Sequence, residues 1–156
     1  LNYLRVEDIS SDLSFKQYAV DDMVRQVIRK YAKIFISKKI KMNFKPTGRY
    51  IVTDDKWFVF VLEQFISNAL KYTKKGQISI YMKEKSLVIE DTGIGIPAED
   101  LPRIFEKGFT GYNGRENKKS TGIGLYLCKN IMDKLQWNIT VDSEVGSGTK
   151  IYLTKM

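Results

Sequence analysis

The chain has 156 residues, 43% of them apolar and 28% charged, and a formal charge of +8. That length suits one domain able to bury its own core, and no apolar run approaches the ~20 residues of a bilayer-crossing helix. No secretory leader is expected at its start. A single cysteine, Cys128, excludes an internal disulfide and points to a reducing cytoplasm. The absence of histidine excludes any histidine acid, base, metal ligand or phosphoacceptor within the chain. The positive charge raises nucleic acid, an anionic membrane or an acidic protein as partners. Its lysines are scattered (Lys38-Lys39, Lys74-Lys75, Lys83, Lys85, Lys118-Lys119) without the aromatic interleaving of a strand-binding platform, so most are expected on a solvated surface and no nucleic acid is expected.

Residues 1 to 12 carry few packing signals and read as the tail of a preceding helix plus a linker. Residues 13 to 17 alternate as a half-buried strand. Asp21 and Asp22 suit the positive start of a helix along which Val20, Val24, Val27, Ile28, Tyr31 and Phe35 recur at spacings of three and four. Residues 40 to 54 predict a hairpin, with Ile40, Met42 and Phe44 alternating before Pro46-Thr47-Gly48 and Tyr50-Ile51-Val52 returning. Asp54-Asp55 can start a mostly apolar, buried helix to Tyr72. On it Gln64, Asn68 and Lys71 stand at i, i+4 and i+7, and a polar stripe on a buried helix needs hydrogen-bond partners or a ligand.

Residues 77 to 82 and 87 to 90 read as antiparallel strands that deliver Asp91, followed by Gly93 and Gly95, to a strand end. Glycine there lets the backbone turn sharply and approach a flat ligand. A short helix is expected from Pro97 to Leu101. Residues 110 to 121 are polar and glycine-bearing, as expected of a mobile lid, with Arg115, Lys118 and Lys119 as its cations. Gly122 and Gly124 then precede an apolar helical pattern (Leu125, Cys128, Ile131, Met132, Leu135), offering glycine amides and a positive helix end to phosphate. The chain closes on two strands around a turn at residues 143 to 149. One end of this arrangement suits a base, the other a phosphate chain.

Asp91-x-Gly93-x-Gly95 followed by Gly122-x-Gly124-Leu125 resembles the ATP-binding domain shared by sensor histidine kinases, DNA gyrase, heat-shock chaperones and mismatch-repair ATPases. The likeness extends from about Leu13 to Met156. Asn68-Ala69-x-Lys71-Tyr72-Thr73 is similar to the asparagine box of histidine kinases, the stretch from Ile104 to Gly111 to their phenylalanine box, and Gly146-x-Gly148-Thr149 to their last glycine motif. The resemblance implies an α+β fold, a two-layer α/β sandwich of Bergerat type: a mixed, mostly antiparallel sheet packed against three main helices, with ATP between helices and lid.

It also implies ATP and Mg2+ as cofactors, with Asn68 and Lys71 catalytic, Asn68 on the metal and Asp91 on the exocyclic amine of adenine. Tyr72, Gly93, Gly95, Ile96, Phe105, Phe109, Lys118, Lys119, Thr121, Gly122, Gly124, Leu125 and Thr149 would surround the nucleotide. The implied activity is transfer of the γ-phosphoryl group to a histidine on a separate dimerisation and phosphoacceptor domain, with a response regulator downstream. The whole protein would be a homodimer, and this chain the cytoplasmic domain of a cell-membrane protein.

Asp55-Lys56-Trp57-x-x-Phe60 and Gln64 look most like small membrane sensors of low-GC Gram-positive bacteria. In the hydrolysing relatives a glutamate one turn before the asparagine polarises water. Gln64 cannot take a proton, and Glu63 lies about 100° away around the helix. The pattern therefore favours kinase over a conformational ATPase of the gyrase or chaperone type, or a basic nucleic-acid-binding module.

Overall fold

The computed structural model describes residues 13 to 109 and 124 to 156. Five strands form the main sheet. β2 (Lys41–Phe44) runs parallel to β4 (Gln77–Lys83), and β4, β5 (Ser86–Asp91), β7 (Gly148–Lys155) and β6 (Trp137–Glu144) follow as antiparallel neighbours. β1 (Lys16–Ala19) and β3 (Tyr50–Thr53) form a separate antiparallel pair. Helices α1 (Val20–Lys38), α2 (Asp55–Tyr72) and α3 (Gly124–Leu135) cover one face of the sheet. The two-layer sandwich with a mixed, mostly antiparallel sheet is the architecture expected.

Strand alternation divides the sheet. Ile78 and Ile80 on β4, Leu87 and Ile89 on β5, and Leu153 on β7 turn into one core with the helices. α2 is the middle helix and packs against both α1 and α3, which explains why it is apolar on nearly every side. Phe58 at its start is fully buried and meets Trp137 of β6 edge-to-face, with centroids 5.2 Å apart. Cys128 is fully buried and burial pushes its thiol pKa up, so it packs as a small apolar side chain.

Three expectations about local structure are corrected. Residues 40 to 54 are not a hairpin: β2 joins the main sheet beside β4, while β3 pairs with β1. The turn between β2 and β3 is instead held by α1. The Asp21 carboxylate accepts the Thr47 amide (2.8 Å), the Thr47 hydroxyl (2.7 Å) and the Gly48 amide (3.1 Å), so the chain crosses the helix start rather than folding back. Burial opposes ionisation of Asp21, but these donors outweigh it and hold its pKa down. The first strand begins at Lys16, later than expected, because its register is set by β3. The segment after Pro97 makes a turn, and the short helix is a 3-10 turn at Leu101–Arg103.

Asp54 ties two elements together. Its carboxylate caps α2 by accepting the Trp57 amide (3.2 Å) and also accepts the Ser14 amide (2.8 Å), while the residue is only 4% exposed. Replacing it with alanine removes the cap and orphans a second donor, so Asp54→Ala should lower stability by about 2–3 kcal/mol. Urea denaturation checks this, and a loss below about 1 kcal/mol would mean that water replaces both bonds.

Candidate functional site

Asp91 ends β5, and its side chain shares the helix-covered face with Leu87 and Ile89. Its Oδ1 accepts the Gly93 amide at 2.9 Å, and the Thr149 amide from the facing position on β7 also donates to the carboxylate. Burial nevertheless wins over these two donors and raises the Asp91 pKa. Next to it the Thr73 hydroxyl, at the end of α2, is buried with no hydrogen-bond partner among the described residues. A carboxylate that can still accept and an orphaned hydroxyl, set against apolar core, form a recognition point for a flat heterocycle carrying both donors and acceptors.

The glycines after Asp91 serve the packing of this loop. A Cβ on Gly93 would lie 2.5 Å from the Tyr72 carbonyl and 2.8 Å from the Thr73 hydroxyl, while Ile94 donates its amide to that Tyr72 carbonyl at 3.1 Å. Gly95 has φ +79°, and a Cβ there would strike the Glu144 carbonyl. Backbone contact, with no room for side chains, thus seats the loop between the end of α2 and the β6–β7 turn. Ser143 completes the seat: its hydroxyl accepts the Ile96 amide (2.8 Å), donates to the Gly148 carbonyl (3.0 Å) and lies 2.8 Å from the Thr149 hydroxyl. Sequence reasoning missed Ser143 and the orphaned Thr73. For Thr73 the only signal was its place at the end of the Lys71-Tyr72-Thr73 run.

The polar stripe of α2 faces the same end. Asn68 is half-buried, and its side chain makes no hydrogen bond to any described residue. Lys71 is half-buried, its ammonium 5.4 Å from the Tyr72 ring centroid, and burial pushes its pKa down. Gln64 reaches toward α3: its Oε1 is 2.7 Å from where a Cβ on Gly124 would stand, so glycine lets α3 start directly against α2, with Leu125 next along it, half-buried against the core. Glu63, by contrast, turns to α1 and pairs with Lys30 at 3.0 Å, a hydrogen bond that raises the lysine's pKa.

Phe105 packs against the core, whereas Phe109 lies under the Arg103 guanidinium, 4.5 Å from its centroid, so the two rings do not stack as a pair. Lys118, Lys119, Thr121, Gly122 and the expected lid lie outside the described residues. A hollow of about 590 Å³ opens between Ile96, Ala98 and the β6–β7 turn, with Asp91 and Thr149 in its lining beside a charged trio, Glu90, Asp142 and Lys150. Alternation puts these three on the opposite face of the sheet from Asp91 and Thr149, away from Asn68 and Lys71.

The family model for the histidine kinase-, DNA gyrase B- and HSP90-like ATPases matches residues 53–155. The chain belongs to this family. It therefore carries the family's ATP-binding domain, and its sequence relatives include proteins named sensor histidine kinases and sensor proteins. Sensor histidine kinase YxdK of Bacillus subtilis (strain 168) is 35% identical over 163 residues, covering 97% of this chain and 50% of that protein. The chain thus spans about half the length of the curated relatives it matches. The catalytic domain of histidine kinase ThkA superposes with a TM-score of 0.74 at 19% identity, covering 91% of this chain and 95% of that one. Full-length ShkA in complex with AMPPNP gives a TM-score of 0.78 at 19% identity, over 95% of this chain and 33% of its own.

Proposed function

We propose that this chain is the catalytic domain of a membrane-anchored sensor histidine kinase, binding ATP with Mg2+ and transferring the γ-phosphoryl group to a histidine on a separate phosphoacceptor domain. Such a whole protein would be a homodimer that passes the phosphoryl group to a response regulator. The observation that carries the nucleotide site is the half-buried Asp91 carboxylate, held by two backbone amides beside the orphaned Thr73 hydroxyl. In this reading Asp91 accepts from the adenine amine. Thr73 and Thr149 answer the neighbouring ring positions, and Gly93, Gly95, Ile96 and Tyr72 shape the pocket. Phe105, Phe109 and the segment with Lys118 and Lys119 flank it, and Thr121 to Leu125 receive the phosphates at the start of α3.

The donors present fit magnesium. Asn68 offers one amide oxygen with no described protein partner, and Mg2+ keeps several waters and shares phosphate oxygens rather than demanding a protein cage. No group of three or more acidic, cysteine or histidine side chains among the described residues provides such a cage. Bound there, the ion would offset charge on the triphosphate. Lys71 would add a second positive charge on the same face of α2. Positioning and charge neutralisation supply most of the acceleration in phosphoryl transfer.

Hydrolysis is disfavoured by the same geometry. Gln64 cannot accept a proton, and Glu63 is committed to Lys30 on the far side of α2. With γ-labelled ATP the isolated chain should bind nucleotide but neither label itself nor release phosphate appreciably, since it has no histidine. Joined to a helical phosphoacceptor domain, it should label that domain on histidine. Robust phosphate release by the isolated chain would move the reading to an ATPase. An unlabelled longer protein would leave a nucleotide-binding domain without kinase activity.

A further inference from the structure

The positive charge of the chain is segregated. Residues 23 to 53 and 64 to 83 contain no aspartate or glutamate, so every charge in both segments is lysine or arginine. The fold brings the end of α1 and the start of β2 against the end of α2 and the turn before β4, at one end of the domain: the Lys41 amide donates to the Gly76 carbonyl at 3.1 Å, Lys38 Nζ donates to the Leu70 carbonyl, and β2 starts beside β4. Some of these cations are engaged. Lys30 pairs with Glu63, Lys38 caps the α2 carbonyl, and Arg25 sits over the Phe44 ring. Lys33, Lys39, Lys41, Lys74 and Lys75 are exposed and form no ion pair with any described residue.

On α1, between Lys33 and Lys39 in the chain, stands Ile36, 76% exposed, one turn along from Lys33 and bonded through its carbonyl to the Lys39 amide at 3.1 Å. An isoleucine held open to water amid unpaired lysines gains nothing from a phosphodiester backbone, and no exposed aromatic ring flanks it for base stacking. Both features suit a lipid interface, where lysines meet anionic headgroups and the apolar side chain enters the acyl boundary. We propose that this lysine-rich end of the domain, with Ile36 beside it, rests on an anionic membrane surface and orients the domain there. The contact is independent of the nucleotide site, so its failure would leave the kinase reading untouched.

Co-sedimentation of the 156-residue chain with phosphatidylcholine vesicles, with and without phosphatidylglycerol, tests this. The chain should pellet with the anionic vesicles at low salt, with or without ATP, and be released as salt rises. Lys39→Glu with Lys75→Glu should weaken binding by about 25-fold or more, from about fivefold for each lysine brought to the surface. Lys83→Glu with Lys85→Glu makes the same net charge change at the far end of β4 and should retain most of the binding. Ile36→Ser should cost roughly three- to tenfold at unchanged charge. Melting curves confirm that each variant folds. Equal binding to neutral vesicles, equal losses from both lysine pairs, an indifferent Ile36→Ser, or a DNA duplex that displaces the vesicles would each overturn the proposal.

Discussion

Asp91→Asn should weaken ATP binding by about a hundredfold or more while the chain melts within a few degrees of its normal temperature. A hydrogen bond to a charged acceptor contributes about 1.5–3 kcal/mol. The amide that replaces it can also present an N–H to the adenine amine, leaving two donors face to face at a further cost of about 1–3 kcal/mol. The folded chain should tolerate the change better. One of the amides from Gly93 and Thr149 loses its best acceptor, at about 1 kcal/mol, but the penalty of burying an ionised carboxylate disappears.

The sign follows from the raised pKa of Asp91. A carboxyl group that holds its proton more tightly when folded contributes stability below its unfolded pKa, and that contribution is lost as pH rises through the folded value. At neutral pH the ionised Asp91 therefore costs stability, which asparagine recovers, and in acid this recovery vanishes. Calorimetric titration with ATP and melting curves at neutral and acid pH check both halves. A variant that melts normally and binds ATP with unchanged affinity would remove Asp91 from the site.

Gly148→Ala should be among the most damaging substitutions at the described glycines, lowering stability by about 3–5 kcal/mol and melting temperature by roughly 10 °C. Gly148 opens β7 at φ +120°, a conformation L side chains rarely adopt, and a Cβ there would strike the Asp91 carbonyl. Relief would require parting β5 from β7, since the obstructing atoms are backbone and no rotamer can move them. The Thr149 amide would leave the Asp91 carboxylate as the strands part, so nucleotide affinity should fall together with stability. A Gly148→Ala chain within about 1 kcal/mol of the parent would show that the strands give way more readily than their register implies.

Both substitutions bear on what the sequence made legible. The helix containing Asn68 was readable because its apolar residues outnumber what one face could use, which marks a helix buried on several sides, and Asp54-Asp55 marks its start. The strand pair leading to Asp91 was readable from short apolar runs separated by a charged turn. The supposed hairpin at residues 40 to 54 failed because local alternation says that a strand exists and not which strand it joins. β2 and β3 both alternate, yet the acceptors on Asp21 divert the turn between them and send the strands to different sheets.

Local chemistry alone therefore determined most of the elements, the apolar face of each helix, and the candidate residues Asn68, Lys71, Asp91 and the glycines, since residue type and spacing carry that information along the chain. Contacts between residues far apart in sequence decided the rest. The meeting of Asp91 with Thr149 and Thr73, the part of Ser143, the turning of Glu63 toward Lys30, and the gathering of lysines from two acid-free segments at one end of the domain all depend on strand order and helix packing. Those are set by burial of the common core, to which every element contributes and which no single segment encodes.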